Sequence, residues 1–132
     1  MTPPLSARII GKVSVQTAAT FDCSLWKQRV RQRAAAYEQR RLQTLGRVQH
    51  GLRAWLASRP GVRVYLFGSL TQPFAFGPHA DIDVALEGLA AGEFWQVWGQ
   101  LEAVVGSERL DLIEMERCPF AQFIRAHGIQ VQ

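Results

Sequence analysis

The sequence predicts an α/β domain of the α+β kind, a small mixed β-sheet backed by helices, on three observations. Hydrophobic residues fill 48% of the 132 positions, with four Trp and seven Phe, which is enough for a core and too much for a disordered chain. Three apolar runs have strand length: Val62–Phe67, Ile82–Leu86 and Arg109–Met115. Stretches of helical period separate and flank them, so the order reads helix, strand, strand, helix, strand, helix.

Each element has its own signal. Residues 1–20 carry two prolines and small polar residues, with Ala7–Val15 readable as a strand. From Ser24 to Ser58, the residues Trp26, Val30, Ala34, Tyr37, Leu45, Val48, Leu52 and Trp55 recur at mostly three- and four-residue steps, giving one apolar stripe. Asp22 or Ser24 caps its start and Pro60-Gly61 closes it, while Gly46 and Gly51 leave open one long helix or two shorter ones. Glu93–Val105 is helical, with Phe94, Trp98, Leu101 and Val105 on one side. Phe120–His127 is a short helix started by Pro119 and stopped by Gly128, and Ile129–Val131 adds an edge strand. The expected organisation is a partly irregular segment over 1–23, a basic helical extension over 24–59 and a core over 60–132, one domain overall.

Charge is unevenly spread. Residues 1–66 carry 12 Lys and Arg against two acids, a balance of +10, whereas residues 67–132 carry three Arg against nine acids, a balance of −6. No apolar run is long enough to cross a bilayer and the N-terminus has no signal-peptide core, so a cytoplasmic protein without a membrane partner is expected. Cys23 and Cys118 lie far apart, and His50, His79 and His127 are scattered. That pattern reads as free thiols rather than a zinc site.

The chemistry concentrates between residues 66 and 83. An apolar strand runs into Gly68-Ser69, a loop follows, and Asp81 and Asp83 open the next apolar run. Side chains alternate along a strand, so the two aspartates share a face at roughly 7 Å. Glycine lets the backbone approach a ligand closely, backbone amides there can hold phosphate oxygens, and the Ser69 hydroxyl adds a donor. Two adjacent carboxylates repel unless a cation sits between them, and magnesium binds through one or two carboxylates plus substrate phosphates. Asp111, in Arg-Leu-Asp-Leu-Ile, is a charge in an apolar strand. If that strand neighbours the Ile82 strand, Asp111 reaches the same pocket, as a base for an attacking hydroxyl or a ligand of a second metal. Glu114 and Glu116 fall where that strand leaves the core.

Leu66-Phe67-Gly68-Ser69, then Asp81-Ile82-Asp83, then Leu110-Asp111-Leu112-Ile113 resembles the DNA polymerase β-like nucleotidyltransferase superfamily, and within it the minimal nucleotidyltransferases, antitoxins found beside HEPN-domain ribonuclease toxins. The likeness spans about residues 50–132 and includes Phe123–Ile129 as the closing helix, turn and edge strand. It implies that Gly68 and Ser69 hold the triphosphate, that Asp81, Asp83 and Asp111 bind Mg2+, and that Asp111 also activates the acceptor. The implied activity is transfer of AMP from ATP to a tyrosine of a HEPN-type toxin. The 11-residue loop between Ser69 and Asp81 departs from the family, with Gln72-Pro73 where a basic residue and glycine are usual and Ala80 in place of serine. Phe74 and Phe76 in it are expected to pack over the sheet end, in preference to stacking on a nucleotide base.

Lys27, Arg29, Arg31, Arg33, Arg40, Arg41 and Arg47 crowd the first helix, with Glu38 alone to offset them. A solvated face, a surface for an acidic partner protein and a contact for RNA phosphates all fit this charge. The partner surface is preferred, because the stripe with Trp26, Tyr37 and Trp55 offers something to bury. The alternative function is a catalytically weak or inactive protein of the same fold that neutralises a partner by binding. Homo-oligomer formation stays open.

Overall fold

A computed structural model describes residues 22–106 and 109–132, and the expected strand at Ala7–Val15 lies outside them. The elements are helix α1 (Ser24–Leu56), strands β1 (Arg63–Phe67) and β2 (Ile82–Glu87), helix α2 (Phe94–Val105), strand β3 (Leu110–Glu114), helix α3 (Ala121–His127) and strand β4 (Ile129–Val131). Short 3-10 turns follow β1 at Gly68–Thr71 and β3 at Met115–Arg117. The chain divides into two compact units, Met1–Arg33 and Ala34–Gln132.

In the first unit the described residues begin α1. Asp22 caps it: Oδ1 accepts from the Ser24 N–H and Oδ2 from the Ser24 hydroxyl, both at 2.9 Å. These bonds, the amide first, hold the Asp22 carboxyl below its ordinary range. Trp26 and Val30 are exposed, so the buried part of the apolar stripe does not reach them.

The second unit holds the sheet, in the order β3-β2-β1-β4. β1 pairs antiparallel with β2 and β4, and β2 pairs parallel with β3. The sheet is therefore mixed, as the element order predicts. Strand alternation sorts its faces. Val64, Leu66, Ile82, Val84, Leu86, Leu112 and Val131 form one core with Val48 and Leu52 of α1 and Val97, Leu101 and Val105 of α2. Tyr65, Ala85, Met115 and Ile124 form a second, smaller core under α3.

Helix α1 is continuous through Gly46 and Gly51. Its buried residues are Arg41, Thr44, Val48 and Leu52, a stripe at helical spacing that is polar at its first two positions. Arg47 Nη1 donates to the Val105 carbonyl at 2.9 Å, satisfying an orphan acceptor at the end of α2. Trp55 Nε1 donates to Gln100 Oε1 at 2.8 Å, and the Arg59 guanidinium lies over the Trp55 ring. Of the proposed partner surface, Trp55 and Arg47 thus serve contacts within the unit.

The two glycines of α1 answer to different demands. A Cβ at Gly46 would meet nothing, whereas one at Gly51 would sit 2.7 Å from Val104 Cγ1. A valine cannot swing away cheaply, because its branched side chain is held to one rotamer in a helix. Gly46→Ala is expected to raise stability by about 1 kcal/mol through helix propensity, and Gly51→Ala to lower it. Denaturant unfolding of the two variants beside the parent protein checks the difference in sign.

Candidate functional site

The register of three strands builds the site. Phe67 pairs with Asp83 across the antiparallel ladder, and Asp83 pairs with Asp111 across the parallel one. Paired residues share a face, so Phe67, Asp83 and Asp111 form one row, beyond the row of Tyr65, Ala85 and Ile113 that α3 covers. Helix α3 has only seven residues, about 10 Å of length. Asp111 remains exposed and Asp83 half-buried.

At the row's end the chain turns at Gly68. Its φ is +74°, and a Cβ there would lie 2.1 Å from Asp83 Oδ2. Glycine is required on both counts, for the left-handed turn and for the approach of backbone to carboxylate. Ser69 follows, partly exposed, in the 3-10 turn. Thr71 Oγ1 donates to the Gly68 carbonyl at 2.8 Å and tightens the corner.

Asp83 carries the electrostatic signature. Its carboxyl is pushed from 3.8 up to about 6, first by burial, then by the Asp111 and Asp81 charges, and by hydrogen bonding to Asp111. Asp81 just precedes β2, with one oxygen, Oδ1, sealed from solvent. Arg109 Nε lies 2.9 Å from Oδ1, within ion-pair range, yet no N–H is aimed at it as a hydrogen bond. The same guanidinium donates through Nη2 to the His79 carbonyl at 3.1 Å.

These donors suit a divalent cation. All are hard carboxylate oxygens, one is buried without a hydrogen-bond donor, and their mutual repulsion is what a cation would relieve. Among the described residues no three His, Cys, Asp or Glu side chains form a ready-made metal cage. Asp81 and Asp83 could supply only part of a coordination shell, with phosphates and water left to complete it.

The loop from Ser69 to Asp81 is held by α1. Arg41, buried, donates through Nη1 to the Leu70 carbonyl at 2.9 Å and through Nε to Glu38 at 3.0 Å. Glu38 Oε2 in turn accepts the Phe74 N–H at 2.7 Å. Hydrogen bonding to Arg41, then to Phe74, keeps the Glu38 carboxyl below its ordinary range. Arg40 Nη1 donates to the Gly77 carbonyl at 3.1 Å, with its guanidinium over the Phe76 ring. Phe76 is buried as expected, but Phe74 is not. It is 72% exposed, at φ 61°, a conformation costing roughly 1–2 kcal/mol for a residue with a side chain. Glu38's grip on its amide fixes the backbone in that turn, which leaves the ring in solvent rather than over the sheet.

Beyond Ile113, a cleft of about 520 Å³ is lined by Phe94, Trp95, Ile113, Arg117, Cys118 and Phe120 among others. It adjoins the carboxylate row, because Ile113 shares a face with Asp111 two residues away and the Phe120 ring meets Phe67 edge-on at 6.3 Å. Glu114 pairs with Arg117 at 3.7 Å, and Glu116 accepts the Gly88 N–H at 2.7 Å, so both acids have structural partners.

The strand pairing brings Asp83 and Asp111 together, the Gly68 turn joins them, and Asp81 and Ser69 flank them. Sequence reasoning missed Arg109, although its place two residues before Asp111 in an extended segment was a readable signal. Arg41, expected with its neighbours to face solvent, a partner protein or RNA, is buried instead, because 41, 44, 48 and 52 fall on one helical stripe. The chain matches no family model and no curated protein. No helix of the described residues is long and apolar enough to cross a membrane.

The raised Asp83 pKa sets a pH dependence. The folded protein binds this proton more tightly than the unfolded chain, so the metal-free protein loses stability as pH rises from about 4 to about 6 and levels off above. Asp83→Asn is expected to melt higher than the parent at neutral pH and to converge with it below the unfolded carboxyl's pKa. Thermal melts across that range check the sign.

Proposed function

We propose that this protein is a magnesium-dependent nucleotidyltransferase, a minimal member of the polymerase β-like superfamily. Its proposed biological role is an antitoxin that transfers AMP from ATP to a tyrosine of a HEPN-type ribonuclease toxin. The observation that carries the reading is the row of Asp83 and Asp111 against the Gly68 turn, with Asp81 beside it. The mixed sheet order and the helix placement are compatible with such a fold.

In this reading the Gly68-Ser69 corner binds the phosphates through backbone amides and the Ser69 hydroxyl. Asp81 and Asp83 would hold the metal, and Asp111 its exposed side. A divalent ion held by these carboxylates would supply charge neutralisation for the triphosphate and Lewis-acid polarisation of its phosphorus. Asp111, in solvent contact, takes the proton of the acceptor hydroxyl. The new bond joins that oxygen to the α-phosphorus, the bond to the bridging oxygen breaks, and pyrophosphate leaves with the electron pair. In this reading the acceptor would approach over the cleft lined by Ile113 and Phe120.

The test is incubation with α-labelled ATP, magnesium and the protein encoded in the adjacent reading frame. Label is expected on the neighbour, with Asp83→Asn and Asp111→Asn each lowering transfer by about 100-fold or more. No label on the neighbour contradicts the reading. The second reading, neutralisation by binding alone, draws on the absence of Lys and Arg from the 70–80 loop. It predicts that Asp81→Asn/Asp83→Asn still neutralises the partner, whereas the enzymatic reading predicts loss.

A further inference from the structure

The triphosphate needs a positive side chain that the loop cannot provide. Residues 70–80 contain no Lys or Arg. The α1 cations that reach the loop are committed to its backbone, Arg41 to Leu70 and Arg40 to Gly77. Of the three arginines in the acidic half, Arg125 pairs with Glu87 and Arg117 with Glu114. Arg109 is the one that stands at the carboxylates.

Its present contacts are loose. The side chain is 74% exposed, its 3.1 Å bond to the His79 carbonyl lies at the surface, and the pair with Asp81 lacks a directed hydrogen bond. Exposed ion pairs of this kind are weak and easily exchanged. A divalent ion at Asp81 would displace the guanidinium, and a phosphate offers its planar fork a better partner than one carboxylate oxygen. The side chain is long enough to turn while its backbone stays fixed before β3.

We propose that Arg109 is the triphosphate-binding cation of this site, and that its contact with Asp81 is a resting position which it leaves when a metal-bound nucleotide arrives. The inference rests on the nucleotidyltransferase reading. It gives Arg109 two roles of opposite sign, competitor of the metal at Asp81 and ligand of the phosphates.

Binding of Mn2+ alone and of Mn2+·ATP to wild-type protein, R109Q and R109K separates the roles. R109Q is expected to bind Mn2+ alone several-fold more tightly, since a neighbouring positive charge is gone. It is expected to bind Mn2+·ATP about tenfold more weakly, since a charge-assisted hydrogen bond is lost. R109K keeps the charge without the fork and falls between wild type and R109Q in both. A residue that merely pins the His79 carbonyl would not move the two affinities in opposite directions. Unchanged affinities in R109Q, or a fall in both, overturn the proposal and leave the nucleotide site standing. Wild-type protein that binds neither Mn2+ nor Mn2+·ATP overturns the proposal together with the reading beneath it.

Discussion

Asp83 and Asp111 face one another across adjacent parallel strands, with the backbone of Gly68 pressed against the first of them. Burial first, and then the charges of Asp111 and Asp81, push the Asp83 carboxyl up to about 6. The arrangement costs stability and the fold keeps it. Strand register decides this, since a one-residue slip of β3 would send Asp111 into the core with Leu112 facing out. The same register aligns Val84 with Leu112 and Ala85 with Ile113, so burial of the apolar partners is what holds the acids side by side.

The rest of the second unit fixes the approaches to that row. Val48 and Leu52 of α1 anchor it to the far face of the sheet, leaving the acid-bearing face to the short α3. From the same stripe Arg41 reaches the loop backbone, and Glu38 reaches Phe74. A buried arginine is tolerated because Glu38 and the Leu70 carbonyl both accept from it. The loop is thus tied by charge-assisted bonds as well as by the burial of Leu70 and Phe76, and it tolerates a left-handed phenylalanine that an untied loop would relax.

Much of this is written in the sequence. Strand and helix boundaries fall within about two residues of where periodicity places them, because β-branched and aromatic runs alternate with stripes of helical spacing. Asp111 stood out as a charge between leucines, and Gly68 as a glycine at a strand end. Other features were hidden for physical reasons. Arg41 sits on a stripe otherwise read as apolar, and its buried state depends on acceptors at Glu38 and Leu70, one of them 29 positions away. Phe74 and Phe76 have the same composition signal and opposite fates, decided by one backbone hydrogen bond from Phe74 to Glu38. Arg109 acquires its meaning only from the return of β3 beside β2, which brings it within 2.9 Å of Asp81.

A site of this kind is defined by what sits among its oxygens. Diffraction from crystals grown with Mn2+ and a non-hydrolysable ATP analogue, recorded for anomalous scattering, tests that most directly. A manganese peak is expected at bonding distance from Asp81 and Asp83, on the face that Asp111 shares, with the phosphates toward Gly68 and Ser69. A map with no peak at these carboxylates, or with the nucleotide bound away from the Gly68 corner, would contradict it.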